Sequence, residues 1–277
     1  MGKLEGKVAF ITGAARGQGR SLAIRLAEEG ADIIAVDVSK QIETVLYPTA
    51  KPGDLEETVR QVEALGRRII ASEADVRDLS ALRKAAAHGF EQLGRIDIVL
   101  ANAGIGVNTS VPTLEMAEDE WQTMIDINLT GCWKTVQAVT PHVIAGGRGG
   151  SIVVTSSIAA LTANEHMAGY AAAKAGLIGM MKVLAKELGP QNIRVNTVHT
   201  TCVATDMLLN DYTFGAFRPD LERPTQADFE EVARSAHRLP VPMIEAIDVS
   251  NAVLHLVSDE GRYVTGTTHV IDAGWML

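Results

Sequence analysis

The sequence predicts an α/β protein: a parallel sheet of seven strands in the order 3-2-1-4-5-6-7, with helices wound over both faces. Three observations predict it. Short runs rich in Val, Ile and Ala recur along the 277 residues, separated by longer stretches with helical periodicity. The runs lack apolar–polar alternation, which marks strands covered on both faces and hence a parallel sheet. A glycine-rich turn joins the first run to the first helix, and right-handed crossovers then fix the winding.

Val8 to Ile11 is the first strand, and Ser21 to Glu29 is the helix after it. Asp32 to Val36, Arg68 to Glu73 and Ile98 to Ala101 are the second to fourth strands. Ser151 to Thr155, Arg194 to Val198 and His269 to Ile271 are the fifth to seventh. Helical spacing fills Leu55–Leu65, Leu79–Leu93, Trp121–Ala145, Ala168–Leu188 and Ala246–Val257. Two stretches break the rhythm. Lys40 to Gly53 is a Pro-containing insertion, and Met207 to Pro240 is a long segment without a strand, the mark of a lid or binding loop. The chain reads as a single domain over residues 1–277, with the insertion at 40–53 and a substrate lid at 207–240.

Composition narrows the function. Hydrophobic residues make up 47% and charged residues 21%, enough apolar side chain to bury a full core. A net charge of −9 and the lack of a basic block argue against nucleic acid as a partner. The amino terminus lacks the apolar region of a signal peptide, and Met1-Gly2 lacks the Ser or Thr at position 6 of a myristoylation signal. No apolar run is long enough to span a bilayer, so the expectation is a cytoplasmic protein without a membrane partner. Cys132 and Cys202 belong to no paired motif and read as reduced structural thiols. The seven His are scattered without ligand spacing, so no metal is expected.

The turn after the first strand reads Thr12-Gly13-Ala14-Ala15-Arg16-Gly17-Gln18-Gly19. Its glycines allow close backbone approach, so the helix N-terminus can meet a pyrophosphate, as in a Rossmann-type dinucleotide fold. Asp37 ends the second strand, 18 residues beyond Gly19, where a carboxylate accepts bonds from the adenosine ribose hydroxyls and repels a 2′-phosphate. Arg16 pulls the other way, toward NADP; short-range repulsion by Asp37 favours NAD. Asp75-Val76 after the third strand can flank an adenine, and Asn102-Ala103-Gly104 after the fourth lets the backbone pass close to a cofactor. All lie at carboxyl ends of strands, where open α/β sheets bind ligands.

Tyr170 and Lys174 stand four apart and share a helix face, which is modest evidence alone. Thr155-Ser156-Ser157 at the end of the fifth strand and Asn128 in the preceding helix add polar groups. The ordered set resembles the short-chain dehydrogenase/reductase family over essentially the whole length: Thr12-Gly13-x-x-x-Gly17-x-Gly19, Asn102-Ala103-Gly104, Asn128, Ser157, Tyr170-x-x-x-Lys174 and the closing Gly266–Gly274 segment. The insertion, the turn at His199 and Asp272-Ala273-Gly274-Trp275 look most like the carveol-dehydrogenase-like, mycofactocin-associated subgroup.

The resemblance implies roles for particular residues. Tyr170 would be the general acid/base, and Lys174 would stabilise its phenolate and hold the nicotinamide ribose. Ser157 would bind the substrate oxygen; it is preferred to Ser156 because it lies 13 residues before Tyr170, the family's usual interval. Asn128 would anchor a water. The family's Pro-Gly after the sixth strand is here Thr200-Thr201, which leaves Val203 and Thr205 to hold the nicotinamide carboxamide and puts the local backbone in question. A homotetramer is implied, and in the subgroup NAD is thought to stay bound and pass electrons to an external redox carrier.

The expected reaction is NAD-dependent interconversion of a hydrophobic secondary alcohol, such as a cyclic terpenoid, with its ketone. An NADPH-dependent ketone or 3-oxoacyl reductase is the alternative, and a non-catalytic NAD sensor would not need Ser157, Tyr170 and Lys174 together. The lid residues Met207, Leu208, Leu209, Tyr212, Phe214 and Phe217 either face such a substrate or pack on their own helix. His166 is either pocket-lining or solvated, and Trp275-Met276-Leu277 is an apolar tail that could reach a neighbour's pocket.

Overall fold

A computed structural model describes residues 2–106, 111–162 and 164–277; Met1, considered above with Gly2, lies outside them. The strands are β1 (Val8–Thr12), β2 (Asp32–Asp37), β3 (Ile69–Glu73), β4 (Ile98–Ala101), β5 (Gly150–Thr155), β6 (Ile193–Thr200) and β7 (Thr268–Ile271). They form one seven-stranded sheet in the expected order β3-β2-β1-β4-β5-β6-β7, parallel throughout.

Alternate residues of each central strand enter opposite cores, which is why these strands read as continuous apolar runs. Val8, Phe10, Ile34 and Val36 join α3 (Leu79–Leu93), α5 (Cys132–Gly146) and α6 (Ala168–Leu188) on one face. Ala9, Ile11, Ile33 and Ala35 meet α1 (Gly17–Glu28), α2 (Asp54–Ala64) and α9 (Ala246–Val257) on the other. Among the described residues no helix is long and apolar enough to cross a membrane.

Three local features differ from the sequence reading. First, α1 begins at Gly17 rather than Ser21, so the glycine turn itself opens the helix. Second, the helix expected over Trp121–Ala145 is interrupted. It runs as α4 (Glu118–Ile125), a π-helical turn over Asp126–Gly131, and then α5. The wider turn adds a residue per winding and re-aims Asn128.

Third, the strandless segment carries two helices, α7 (Asp211–Phe217) and α8 (Gln226–Ala236). Asn210 caps α7 by accepting the Thr213 N–H at 2.9 Å, and Thr225 and Asp228 form a capping box on α8. Their inner faces, with Cys202 from the turn after β6, make a small separate core of Phe214, Phe229 and Ala233, with Phe217 edge-on to Phe229 at 4.9 Å. Caps and aromatic spacing were in the sequence; the prolines obscured them.

The insertion has no helix or strand before α2, yet it is ordered around one side chain. Gln41 Nε2 donates to the carbonyls of Val45 at 2.8 Å and of Ile42 and Tyr47 at 3.2 Å, and its Oε1 accepts the Thr49 N–H at 3.0 Å. This is an Ω-loop tied through its centre. It buries Val45 and Tyr47 in the main core.

Candidate active site

Two adjoining chambers open at the carboxyl ends of the strands. The lower one runs from the glycine turn past Asp37 to Lys174; the upper one lies under α7 and is mostly apolar. Every residue that the sequence assigned to the dinucleotide lines the lower chamber except Val203, which lines the upper.

The lower chamber is shaped by backbone. A Cβ on Gly19 would sit 1.8 Å from the Gly13 carbonyl oxygen, and one on Gly13 would sit 2.8 Å from Ala103 Cα. Gly13 also holds a φ of +71°, in the left-handed region. Thr12 Oγ1 accepts the backbone N–H groups of Asn102 at 3.2 Å and Ala103 at 3.3 Å. The Asn102 side chain donates to the Thr12 carbonyl at 3.1 Å and accepts from Thr155 Oγ1 at 3.1 Å. Asn102 is therefore a brace joining the ends of β1, β4 and β5.

Asp37 Oδ2 accepts the Ala15 N–H and Oδ1 accepts the Val38 N–H, each at 2.7 Å. Burial nonetheless pushes its carboxyl above the ordinary range. Each oxygen keeps a free lone pair for a ligand hydroxyl. Arg16 does not compete for that place. Its guanidinium donates to the Pro48 carbonyl at 2.6 Å and lies 3.5 Å from the Asp206 carboxylate, so it latches the insertion to the segment after β6. Asp75 is clamped by Arg77 at 2.7 Å, and these bonds outweigh burial and hold its carboxyl below the usual range.

At the other end, the π-helical turn buries Asn128 against the loop after β4. Its Oδ1 accepts the Ile105 N–H at 2.9 Å, and its Nδ2 donates to the Ile105 carbonyl at 3.1 Å. Gly104 lets the loop pass: a Cβ there would lie 2.8 Å from Asn128 Oδ1 and 3.4 Å from Lys174 Nζ. Lys174 is buried, donates to the Thr155 carbonyl at 2.9 Å, and holds its ammonium 5.6 Å from the centre of the Tyr170 ring. Tyr170 stands in the wall common to both chambers.

The two serines divide. Ser156 Oγ donates to the Lys174 carbonyl at 3.0 Å and braces α6, whereas Ser157 lines the upper chamber and its Oγ accepts the Ala159 N–H at 3.1 Å. Sequence reasoning missed what holds Ser157 in place. His199, fully buried in β6, lies with Nδ1 2.9 Å from the Ser157 carbonyl and Nε2 2.8 Å from Thr197 Oγ1. Burial pushes its imidazole below the ordinary value.

The Thr200-Thr201 step needs no glycine. β6 stays paired with β7 through Thr200 and Ile271, the Thr201 N–H donates to the Ile271 carbonyl at 3.2 Å, and Val203 then bridges to Ile244. Among the described residues the only non-glycines with positive φ are His166, Asn192 and Ala273, none of them in this turn.

Four residues of the insertion, Ile42, Tyr47, Thr49 and Ala50, also line the lower chamber. The sequence signalled this only by placing an apolar, aromatic-bearing loop directly after Asp37. Of the residues expected in a lid, Met207, Leu208, Tyr212 and Phe217 line the upper chamber, while Phe214 packs within the small core. Trp275 lines this chain's own upper chamber, edge-on to His237 at 5.1 Å. His166 lines neither chamber. Cys132 and Cys202 are free and buried, and burial pushes the Cys202 thiol up to about 11. Among the described residues no three metal-ligating side chains gather.

A family model described as short chain dehydrogenase matches residues 7–213. A putative short-chain type dehydrogenase/reductase of Mycolicibacterium smegmatis is 55% identical over 277 residues, covering 100% of this chain and 99% of the relative. The (-)-trans-carveol dehydrogenase of Rhodococcus erythropolis is 50% identical over 279 residues, covering both chains fully at 100%. A crystal structure of carveol dehydrogenase from Mycobacterium avium in complex with NAD superposes with a TM-score of 0.98 at 54% identity, covering 100% of this chain and 99% of that one.

Proposed function

The chain belongs to the short-chain dehydrogenase family, and from that premise we propose that its two chambers hold NAD below and a hydrophobic cyclic alcohol above. The reaction is NAD-dependent interconversion of a carveol-like secondary alcohol and its ketone. The observation that carries this reading is the place of Tyr170, in the shared wall with Lys174 on the lower side and Ser157 on the upper.

The lower chamber fits the dinucleotide. Gly13 and Gly19 leave the space that a Cβ would fill, the N-terminus of α1 faces that space, and Asp37 offers acceptor oxygens at the end of β2. Thr205, which lines both chambers, and Val203, which lines the upper one, hold the carboxamide end where the chambers meet. When bound, NAD supplies the hydride acceptor for oxidation and, once reduced, the donor for ketone reduction.

The chain's own residues manage the proton. Tyr170 Oη takes the hydroxyl proton as the alcohol is oxidised and returns it to the carbonyl oxygen in reduction. The Lys174 ammonium places positive charge beside the phenolate that forms. Ser157 Oγ hydrogen-bonds the reacting oxygen, and His199 fixes the Ser157 backbone from behind. Asn128 ties the loop after β4 to the helix that precedes α5, and so sets the spacing between Lys174 and Gly104.

The reading is tested with Tyr170→Phe: turnover is lost while co-purified NAD, measured by mass spectrometry, stays. Retained turnover sinks it. The NADPH alternative loses its main support, because Arg16 is engaged with Pro48 and Asp206 and Asp37 stands at the ribose end. A higher kcat/KM with NADPH than with NADH would restore it.

Two finer readings accompany the first. The insertion and the segment after β6 cover the lower chamber from two sides and meet at Arg16, a geometry that favours a slowly exchanging NAD and reoxidation by an external carrier. Activity that requires an artificial electron acceptor despite added NAD supports this, and free exchange of labelled NAD overturns it. The exposed Trp133 on α5 and Val183 on α6 (44% and 55% accessible), with Tyr263 beyond α9 at 88%, favour a homotetramer. A monomer mass in solution would overturn that.

A further inference from the structure

Gln18, Tyr47, Tyr170, Thr200, Thr205 and Met207 line both chambers. Tyr47 comes from the insertion and has no part in the proton and hydride steps above. It is 4% exposed, and its Oη accepts the Gly106 N–H at 2.7 Å. Its own O–H proton has no acceptor among the described residues. A buried hydroxyl without an acceptor is destabilising, so it calls for a partner.

Burial pushes the Tyr47 phenol up to about 12, so it stays protonated and serves as a donor rather than a second base. It stands with Tyr170 in the wall common to both chambers, which places it at the reacting end of the upper one. Gln18 shares that wall, and its Oε1 is buried without a donor among the described residues. The rest of the upper wall is largely apolar, with Ile158, Met207, Leu208, Phe217 and Trp275. One donor without an acceptor and one acceptor without a donor therefore belong to the wall that the two chambers share.

We propose that Tyr47 and Gln18 form a second polar subsite, which binds a further oxygen of the substrate besides the one that reacts. The preferred substrate is then a cyclic alcohol carrying a second hydroxyl, with its oxygen accepting the Tyr47 O–H and its proton going to Gln18 Oε1. A mono-alcohol of the same skeleton leaves both groups without a partner. Sites built to hydrogen-bond a substrate hydroxyl discriminate against the analogue lacking it more sharply than apolar fit does. The inference rests on the dehydrogenase reading above.

The test compares a cyclic monoterpene alcohol with diols of the same skeleton, the second hydroxyl two, three or four carbons from the first. At least one diol should exceed the mono-alcohol in kcat/KM by roughly tenfold or more. Tyr47→Phe should lower that diol's kcat/KM about tenfold more than the mono-alcohol's. Gln18→Met should act in the same direction, about threefold. Equal kcat/KM for all the alcohols in the wild type, or an unchanged ratio in Tyr47→Phe, overturns the subsite.

Binding gives an independent readout in the Tyr170→Phe background, which does not need turnover. There the diol should bind about tenfold tighter than the mono-alcohol, and Tyr47→Phe should abolish the difference. Equal binding overturns the subsite even in an active dehydrogenase, whereas lack of wild-type turnover on any alcohol sinks the dehydrogenase reading instead. Co-purified NAD and the melting temperature are measured in parallel. Loss of NAD from Tyr47→Phe or Gln18→Met would make that residue a cofactor residue and overturn the proposal.

Discussion

The floor of the lower chamber is made of strand ends and backbone, while its cover is made of side chains from two segments that lack strands. On the floor, Thr12, Asn102 and Thr155 bind one another across β1, β4 and β5, and Gly13 and Gly19 meet with no room for a side chain. In the cover, Gln41 ties the insertion to itself, and Arg16 reaches across to Pro48 and Asp206. The floor is fixed by the sheet, so its geometry follows from the fold. The cover is held by a handful of polar contacts, so its properties belong to this chain and can be altered one contact at a time.

Substitutions in the two regions should therefore differ in kind. The largest effect is expected from Tyr170→Phe, with kcat falling on the order of 10²- to 10⁴-fold and bound NAD unchanged. Activity within tenfold of wild type would remove Tyr170 from the chemistry. Gly19→Ala comes next, because its Cβ would sit 1.8 Å from the Gly13 oxygen and neither backbone can retreat. About 1–3 kcal/mol of stability and most of the bound NAD should be lost, as read by thermal melting and by the absorbance of released cofactor. A normal NAD content would show that the floor is less rigid than the comparison holds.

Asp37→Asn tests the floor's selectivity. NAD affinity should drop roughly 10- to 100-fold, the scale of a hydrogen bond to a charged group, with NADP less affected. Equal losses for both cofactors would take Asp37 away from the ribose. Arg16→Ala tests the cover. The ion pair with Asp206 is partly exposed and contributes no more than about 1 kcal/mol, so the melting temperature should hardly move. NAD release should nonetheless quicken by up to about fivefold, the rate equivalent of that energy. An unchanged release rate would mean the latch is incidental.

The smallest effect separates the regions by pH. His199 lies under the floor and His237 in the cover beside Trp275, and burial holds both imidazoles below their ordinary value of 6.5. The unfolded chain takes up protons at pH values where the folded one does not, so stability is fully present above about 6.5 and is lost as the pH falls. The melting temperature should decline below that pH, and His199→Gln should flatten the decline. An unaltered slope in the variant would assign the dependence elsewhere.

The floor was largely legible in the sequence and the cover was not. Strand order, strand-end loops and the positions of Gly13, Asp37, Asn102 and Tyr170 follow from local runs and from topology rules that apply to any parallel sheet. The π-helical turn at Asn128 was hidden because the apolar spacing runs on through it as one helical pattern; the wider winding shows only in the backbone. Arg16 looked like a phosphate ligand because its partners, Pro48 and Asp206, lie far off in the chain. His199 carried no signal either, since its role depends on a neighbour, Ser157, in the adjoining strand's loop. What composition and spacing encode is the frame; a side chain's use depends on partners that only tertiary contact supplies.

A molecule seated in the upper chamber lies against Tyr47, Thr200 and Met207, which also wall the lower one. Any effect it has on how firmly the lower chamber holds its occupant is returned in equal measure by that occupant. Neither chamber can be reshaped alone, since six side chains are party walls between them.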